Sequence, residues 1–124
     1  FKTPFVDLGL VPEAASTLLA PALMGHQRAY ALLALGQDMS AQAALDAGLI
    51  YKIVEPAILE AEVAKTASKI ADRAPTAMAH AKRLMKPDPE VLKSRINEEA
   101  ELFAAQLISD EARQAFMAFM SRKK

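Results

Sequence analysis

Glu13 follows Pro12 in the run Pro4-Phe5-Val6-Asp7-Leu8-Gly9-Leu10-Val11-Pro12-Glu13-Ala14-Ala15-Ser16, and it is the residue best placed to move protons. One carboxylate can take a proton from one carbon and return it to another if it is shielded from water. Burial raises a carboxyl pKa toward the working range. Its neighbours Leu10, Val11, Ala14 and Ala15 are apolar and small, which leaves room for an apolar chain. Glu13 reads equally as a dipole-stabilised carboxylate at an exposed helix start. Asp7, two residues before Gly9, suits a hydrogen bond to the turn backbone better than catalysis. His26 and His80 lie far apart, with no carboxylate at metal-ligand spacing, so no metal site is expected. Ser16 and Thr17 offer hydroxyls, but without a Gly-x-Ser-x-Gly elbow or a histidine partner a serine hydrolase is excluded.

The elements that must position these groups are mostly helical. Phe5, Val6 and Leu8 predict a strand at about 3–8, with Gly9 turning the chain and Pro12 opening a helix over 13–24 that Pro21 strains and is expected to end or kink. The next helix runs from His26 to Leu35, with Gly36 as a left-handed cap, and Ser40 caps a short helix that Gly48 closes. Residues 49–54, largely apolar with three β-branched members, predict an extended segment. Pro56 starts a long helix whose Leu59, Val63, Ala67 and Ile70 form one apolar stripe. Pro75 starts another, and Pro87-Asp88-Pro89 breaks it. The helix over 90–108 sets Leu92, Ile96, Phe103 and Leu107 on one face, with Glu98, Glu99 and Glu101 outward. Ser109 caps the last helix, whose acidic start and basic end match the helix dipole.

In register, these pieces resemble the crotonase superfamily, the enoyl-CoA hydratases and isomerases. The run at 4–16 is similar to the passage from that family's spiral core into its C-terminal helices. Gly25-His26-Gln27-Arg28-Ala29, then Leu32-Leu33-Ala34-Leu35-Gly36, resembles the helix before its S-A-x-x-A turn. Ser40 to Ile50 resembles its A-x-x-A-x-x-x-G-L-V element, Tyr51-Lys52-Ile53-Val54 the segment after it, and Phe119-Met120-Ser121-Arg122-Lys123 the end of its last helix. The resemblance implies a mainly α chain, the C-terminal helical part of a crotonase-like α/β spiral fold with one or two short strands. Residues 1–12 would end the spiral core, and residues 13–124 would form a C-terminal helical, oligomerisation region.

The resemblance implies an acyl-CoA enzyme that shifts or hydrates a double bond in an enoyl-CoA, and Pro-Glu at this helix start is similar to the isomerase branch, which implies that Glu13 is the proton-transfer base. The hydratase pattern carries a glutamate where this chain has Phe5, so that second carboxylate has no match. Two backbone N–H groups would hold the thioester oxyanion, and the resemblance places both upstream of this chain. Phe119 and Arg122 match an aromatic and a basic residue that contribute to the CoA site, often of a neighbouring subunit. A basic group beside a ring suits phosphates and adenine. Phe116 and Phe119 at this spacing also read as core, and the terminal lysines as a solvated helix end. Arg73, Lys82, Arg83 and Lys86 form a second, milder basic cluster.

Fifteen basic and fifteen acidic residues leave no net charge, which removes the electrostatic footprint of a nucleic-acid binder. Cysteine is absent, so disulfides and thiolate chemistry are excluded. No apolar run approaches the roughly 18 residues of a membrane span, and no signal peptide is evident. The family resemblance implies an acyl-CoA substrate and further copies of the chain as partners, in a trimer or a dimer of trimers, and a cytoplasmic location is expected. No cofactor is expected beyond the CoA thioester, which is the substrate. The start at Phe1 suggests a piece of a longer chain. A non-catalytic helical module, assembling through helices 57–73 and 90–108, is the alternative.

Overall fold

The structure is a computed structural model that describes residues 1–121. Its helices are α1 (Ser16–Met24), α2 (His26–Leu33), α3 (Ala41–Asp46), α4 (Leu59–Ala71), α5 (Pro75–Met85), α6 (Pro89–Leu107) and α7 (Asp110–Ser121). Two units result, one of residues 1–51 with 89–124 and the other of residues 52–88.

In the first unit α1 packs on α2, α6 on α7, and α7 on residues 6–8. Met24, Ala29, Leu32 and Ala47 form the core, with Ala20 and Met39 against them. Much of what is fully enclosed is alanine: Ala15, Ala44 and Ala112 are each 1% exposed or less. Small residues at these points let backbones approach closely, and Gly9 takes this furthest. A Cβ there would lie 2.8 Å from Ala112 Cα, so α7 rests directly on the chain at Gly9.

The strand expected at 3–8 does not form, and no strand is present among the described residues. Val6–Leu8 is a single 3₁₀ turn. Its amides close locally, with Leu8 N–H on Pro4 O at 3.1 Å and Leu10 N–H on Phe5 O at 2.8 Å. A strand exists only by pairing with a neighbour. The N-terminal stretch pairs through Phe1 O, which accepts from Met39 N–H at 2.9 Å. Residues 49–54 likewise form no strand.

The caps behave as expected. Ser40 Oγ accepts from Ala43 N–H, and Ser109 Oγ from Ala112 N–H, both at 3.1 Å. Gly36 and Gly48 are left-handed, at φ 60° and 76°. The first helix, however, starts at Ser16 rather than at Glu13, and Pro21 lies inside it without ending it.

The second unit contains a 3₁₀ turn at Pro56–Ile58 followed by α4 and α5. Neither helix has a buried residue. The apolar stripe of α4 is present, but Leu59, Val63 and Ile70 are all exposed. Lys52 Nζ meets Glu62 Oε2 at 2.6 Å and Lys65 stands at 3.9 Å. The hydrogen bond and charge of Lys52, with further charge from Lys65 and Lys69, hold the Glu62 carboxyl below its ordinary value.

Candidate functional site

Glu13 occupies a tight turn between the 3₁₀ segment and α1. Its carbonyl accepts from Ser16 N–H at 3.1 Å, closing a four-residue turn. Both central residues are left-handed, Ala14 at φ 61° and Ala15 at φ 57°. This is the type I′ kind of turn, which ordinarily selects glycine or asparagine. An L-residue there costs about 1–2 kcal/mol, so the two alanines hold this shape only because something else enforces it.

The enforcing group is Glu99 of α6. It is 4% exposed, the one buried charged residue among the described residues. Its Oε2 accepts from Ala15 N–H at 2.6 Å, and its Oε1 accepts from Thr17 N–H at 3.0 Å and from the Thr17 hydroxyl at 2.5 Å. Arg95 donates to the same Thr17 oxygen at 3.0 Å, and is itself held by Glu98 at 3.1 Å. Each charge-assisted bond contributes about 1.5–3 kcal/mol net, so three of them outweigh two strained alanines. A helix leaves its first amides unpaired and carries a positive N-terminal end. α1 has the left-handed Ala15 at its N-cap, with no capping side chain of its own. The carboxylate that neutralises this end is Glu99, not Glu13.

These contacts correct two expectations. Glu99 is not outward: α6 turns it into the protein seven residues after Leu92 and four before Phe103, on the apolar stripe itself. That position was the available signal, since a glutamate on an apolar face must find partners. Glu13 is not shielded by its apolar neighbours in this chain. It is exposed, three residues ahead of the helix rather than in its first turn. Gln106 carries no expectation from the sequence; its Nε2 donates to Gly9 O at 3.1 Å and to Glu111 at 3.3 Å.

The remaining candidates are scattered. Asp7 faces Gly36 rather than the Gly9 turn, for a Cβ on Gly36 would lie 2.7 Å from Asp7 Oδ2. Thr17 is occupied by Glu99 and Arg95, and Ser16 Oγ is buried without a hydrogen-bond partner among the described residues. His26 is exposed and tilts on Tyr30 with ring centres 5.8 Å apart, while His80 sits on α5 in the other unit. Phe119 is 48% exposed on α7, and Arg122 lies outside the described residues. The turn sets Glu13 two residues before the Ala15 amide that Glu99 holds. The arrangement offers an exposed carboxylate next to a backbone held at Ala15 and Thr17.

Comparison with known proteins gives a consistent picture. Residues 1–124 match the family model described as enoyl-CoA hydratase/isomerase. The enoyl-CoA delta isomerase 2 of Rattus norvegicus is 33% identical over 99% of this chain, covering 32% of its own length. The short-chain-enoyl-CoA hydratase of Clostridium acetobutylicum is 29% identical over the whole chain and 48% of its own length. Among solved structures, an enoyl-CoA hydratase/isomerase from Pseudoalteromonas atlantica superposes with a TM-score of 0.93 at 37% identity, over 98% of this chain and 50% of that one. The chain thus spans between about a third and a half of these relatives.

Proposed function

The chain belongs to the enoyl-CoA hydratase/isomerase family of the crotonase superfamily, and from that premise we propose that it is the C-terminal part of an enzyme that shifts a double bond in an enoyl-CoA, with Glu13 as the proton-transfer base. The observation that carries this reading is the turn at 13–16. Two alanines are held left-handed so that one carboxylate stands at a fixed place, and strain of this kind concentrates where geometry serves function. Similarity to an enoyl-CoA delta isomerase over nearly the whole chain supports the isomerase branch.

In this mechanism Glu13 removes a proton beside the thioester and returns it two carbons away. The enolate between the two steps is stabilised by two backbone N–H donors in the core that precedes these residues, and that core also supplies the shielding Glu13 lacks here. Phe119 and Arg122 contribute to binding the CoA nucleotide end, residues 1–12 close the spiral core, and residues 13–124 form the helical region that assembles the oligomer, a trimer or a dimer of trimers. No cofactor is needed, because the thioester itself acidifies the carbon. We place the enzyme in the cytoplasm. Among the described residues no helix is long and apolar enough to cross a membrane.

The test is Glu13→Gln in the whole protein. It keeps the shape and removes the titratable group, so isomerase kcat is expected to fall by at least about 10²–10⁴, the usual contribution of a positioned acid–base group. Acyl-CoA affinity should change little. Wild-type turnover would overturn the assignment.

A second reading, a helical assembly module without chemistry of its own, is favoured by the unburied apolar stripe of α4. It predicts that Glu13→Gln leaves every enzymatic readout unchanged while substitutions along α4 disperse the oligomer.

A further inference from the structure

The turn that carries Glu13 is held at both ends by a single helix. On its upstream side Gln106 grips Gly9 O, and on its downstream side Glu99 grips the amides of Ala15 and Thr17. Glu99 and Gln106 are seven residues apart, two helical turns on one face, or about 10 Å along the axis of α6. α7 closes the same grip from outside, because Ala112 sits against Gly9 closely enough to exclude any Cβ there.

A cap for α1 alone would not need this arrangement. Ser, Thr, Asp or Asn at the N-cap satisfies the first amides of a helix locally, whereas here the acceptor comes from 84 positions away and is buried. Its orientation is itself set, since the Thr17 hydroxyl donates to Glu99 and accepts from Arg95, and Arg95 is tied to Glu98. The outcome is a fixed distance between α6 and the backbone on which Glu13 is mounted.

We infer that Glu99 is a positioning residue for Glu13, with Thr17 and Gln106 as its co-workers: α6 sets where the base stands relative to a substrate bound elsewhere. This rests on the reading of Glu13 as the base. A carboxylate misplaced by about 1 Å costs on the order of 10² in rate even though it is chemically intact, and an exposed residue on a strained turn has no packing of its own to prevent that displacement.

The experiment uses the whole protein and a 3-enoyl-CoA, comparing Glu13→Gln, Glu99→Gln, their double mutant, Thr17→Val and Thr17→Ser. Glu99→Gln places an amide donor against the Ala15 or Thr17 N–H. It should lower kcat about 10²-fold while KM moves less than about threefold. Thr17→Val should lower kcat by a smaller factor, and Thr17→Ser, which keeps the hydroxyl, should restore it. If Glu99 works through Glu13, adding Glu99→Gln to Glu13→Gln should cost nothing further in kcat, the non-additivity expected of residues acting as a unit. Unchanged kcat in both Glu99→Gln and Thr17→Val overturns the inference, as does full additivity in the double mutant. If Glu99→Gln fails to fold, the Val and Ser pair at Thr17 decides alone, because both keep the carboxylate and its amide bonds. Wild-type kcat in Glu13→Gln would instead overturn the reading of Glu13, and that result is seen without touching Glu99.

Discussion

At the scale of the residue, the chain shows how much of a site lies in backbone shape rather than in side-chain type. Ala14 and Ala15 have no functional groups, yet their left-handed backbones determine where Glu13 stands. Ala14 is exposed, so its methyl group contributes no packing to offset its conformation. Glycine at that position would relieve about 1–2 kcal/mol of steric cost, less roughly 0.5–1 kcal/mol for the freedom it adds to the unfolded chain. Ala14→Gly should therefore raise stability by up to about 1 kcal/mol, measured by denaturant titration of the whole protein. Destabilisation would show that the turn is not left-handed there. The same substitution widens the range of positions open to Glu13, so any gain in stability should come without a gain in turnover. Ala15 is a poorer choice for the test, because it is 1% exposed and its methyl group is packed.

At the scale of the element, the charge and hydrogen bond that Lys52 brings to Glu62 of α4 give a directly measurable expectation. Glu62 is held below its ordinary value of 4.5 first by the hydrogen bond and charge of Lys52, then by the charge of Lys65 and Lys69. A depressed folded pKa means that the stability from this pair is fully present above the unfolded carboxylate value. It is lost as pH falls through the folded one. Lys52→Met should move the Glu62 carboxyl titration upward, followed by carbon NMR, but not fully to the ordinary value, since Lys65 and Lys69 remain. No upward movement would remove Lys52 as the cause. These elements were also the most legible part of the sequence. Ser40, Ser109, Pro75 and Pro89 mark helix ends through their own chemistry, and the helices obey them. Residues 3–8 and 49–54 misled because β-branched and aromatic residues state a preference for a pleated surface without supplying a partner strand. The sequence singles out the turn at Glu13 as a candidate, but not the groups that clamp it. Glu99 and Gln106 lie 82 or more positions from the residues they hold, and although Glu99 falls on the apolar stripe, nothing along the chain names its partners.

At the scale of the whole molecule, each unit exposes apolar surface that water does not favour. In residues 52–88 no hydrophobic residue is fully buried, and Ile58, Leu59, Val63, Ile70, Leu84 and Met85 are all at least 48% exposed. In the other unit Leu23, Leu102, Ile108, Met117 and Met120 are more than half exposed. Large contiguous apolar patches promote association, so these 124 residues on their own should sediment as oligomers at micromolar concentration. A clean monomer would contradict that. Association would not make them an enzyme, and the final expectation is that the isolated chain neither turns over enoyl-CoA nor binds acyl-CoA well. Proton removal by Glu13 is useful only if the resulting enolate is stabilised, and losing one oxyanion donor typically costs about 10²–10³ in rate. Under the proposed function both donors belong to the preceding core, so the two losses together bring the rate close to that of an unassisted carboxylate. Binding should suffer as well. Phe119 on α7 and Arg122 would together offer two contacts, which supports a Kd no tighter than about 1 mM, or about −4 kcal/mol. Calorimetric titration of the isolated chain with an acyl-CoA reads this directly. Micromolar affinity or measurable turnover would mean that the oxyanion site and the acyl pocket lie within residues 1–124, and would withdraw the assignment of those parts to an upstream core.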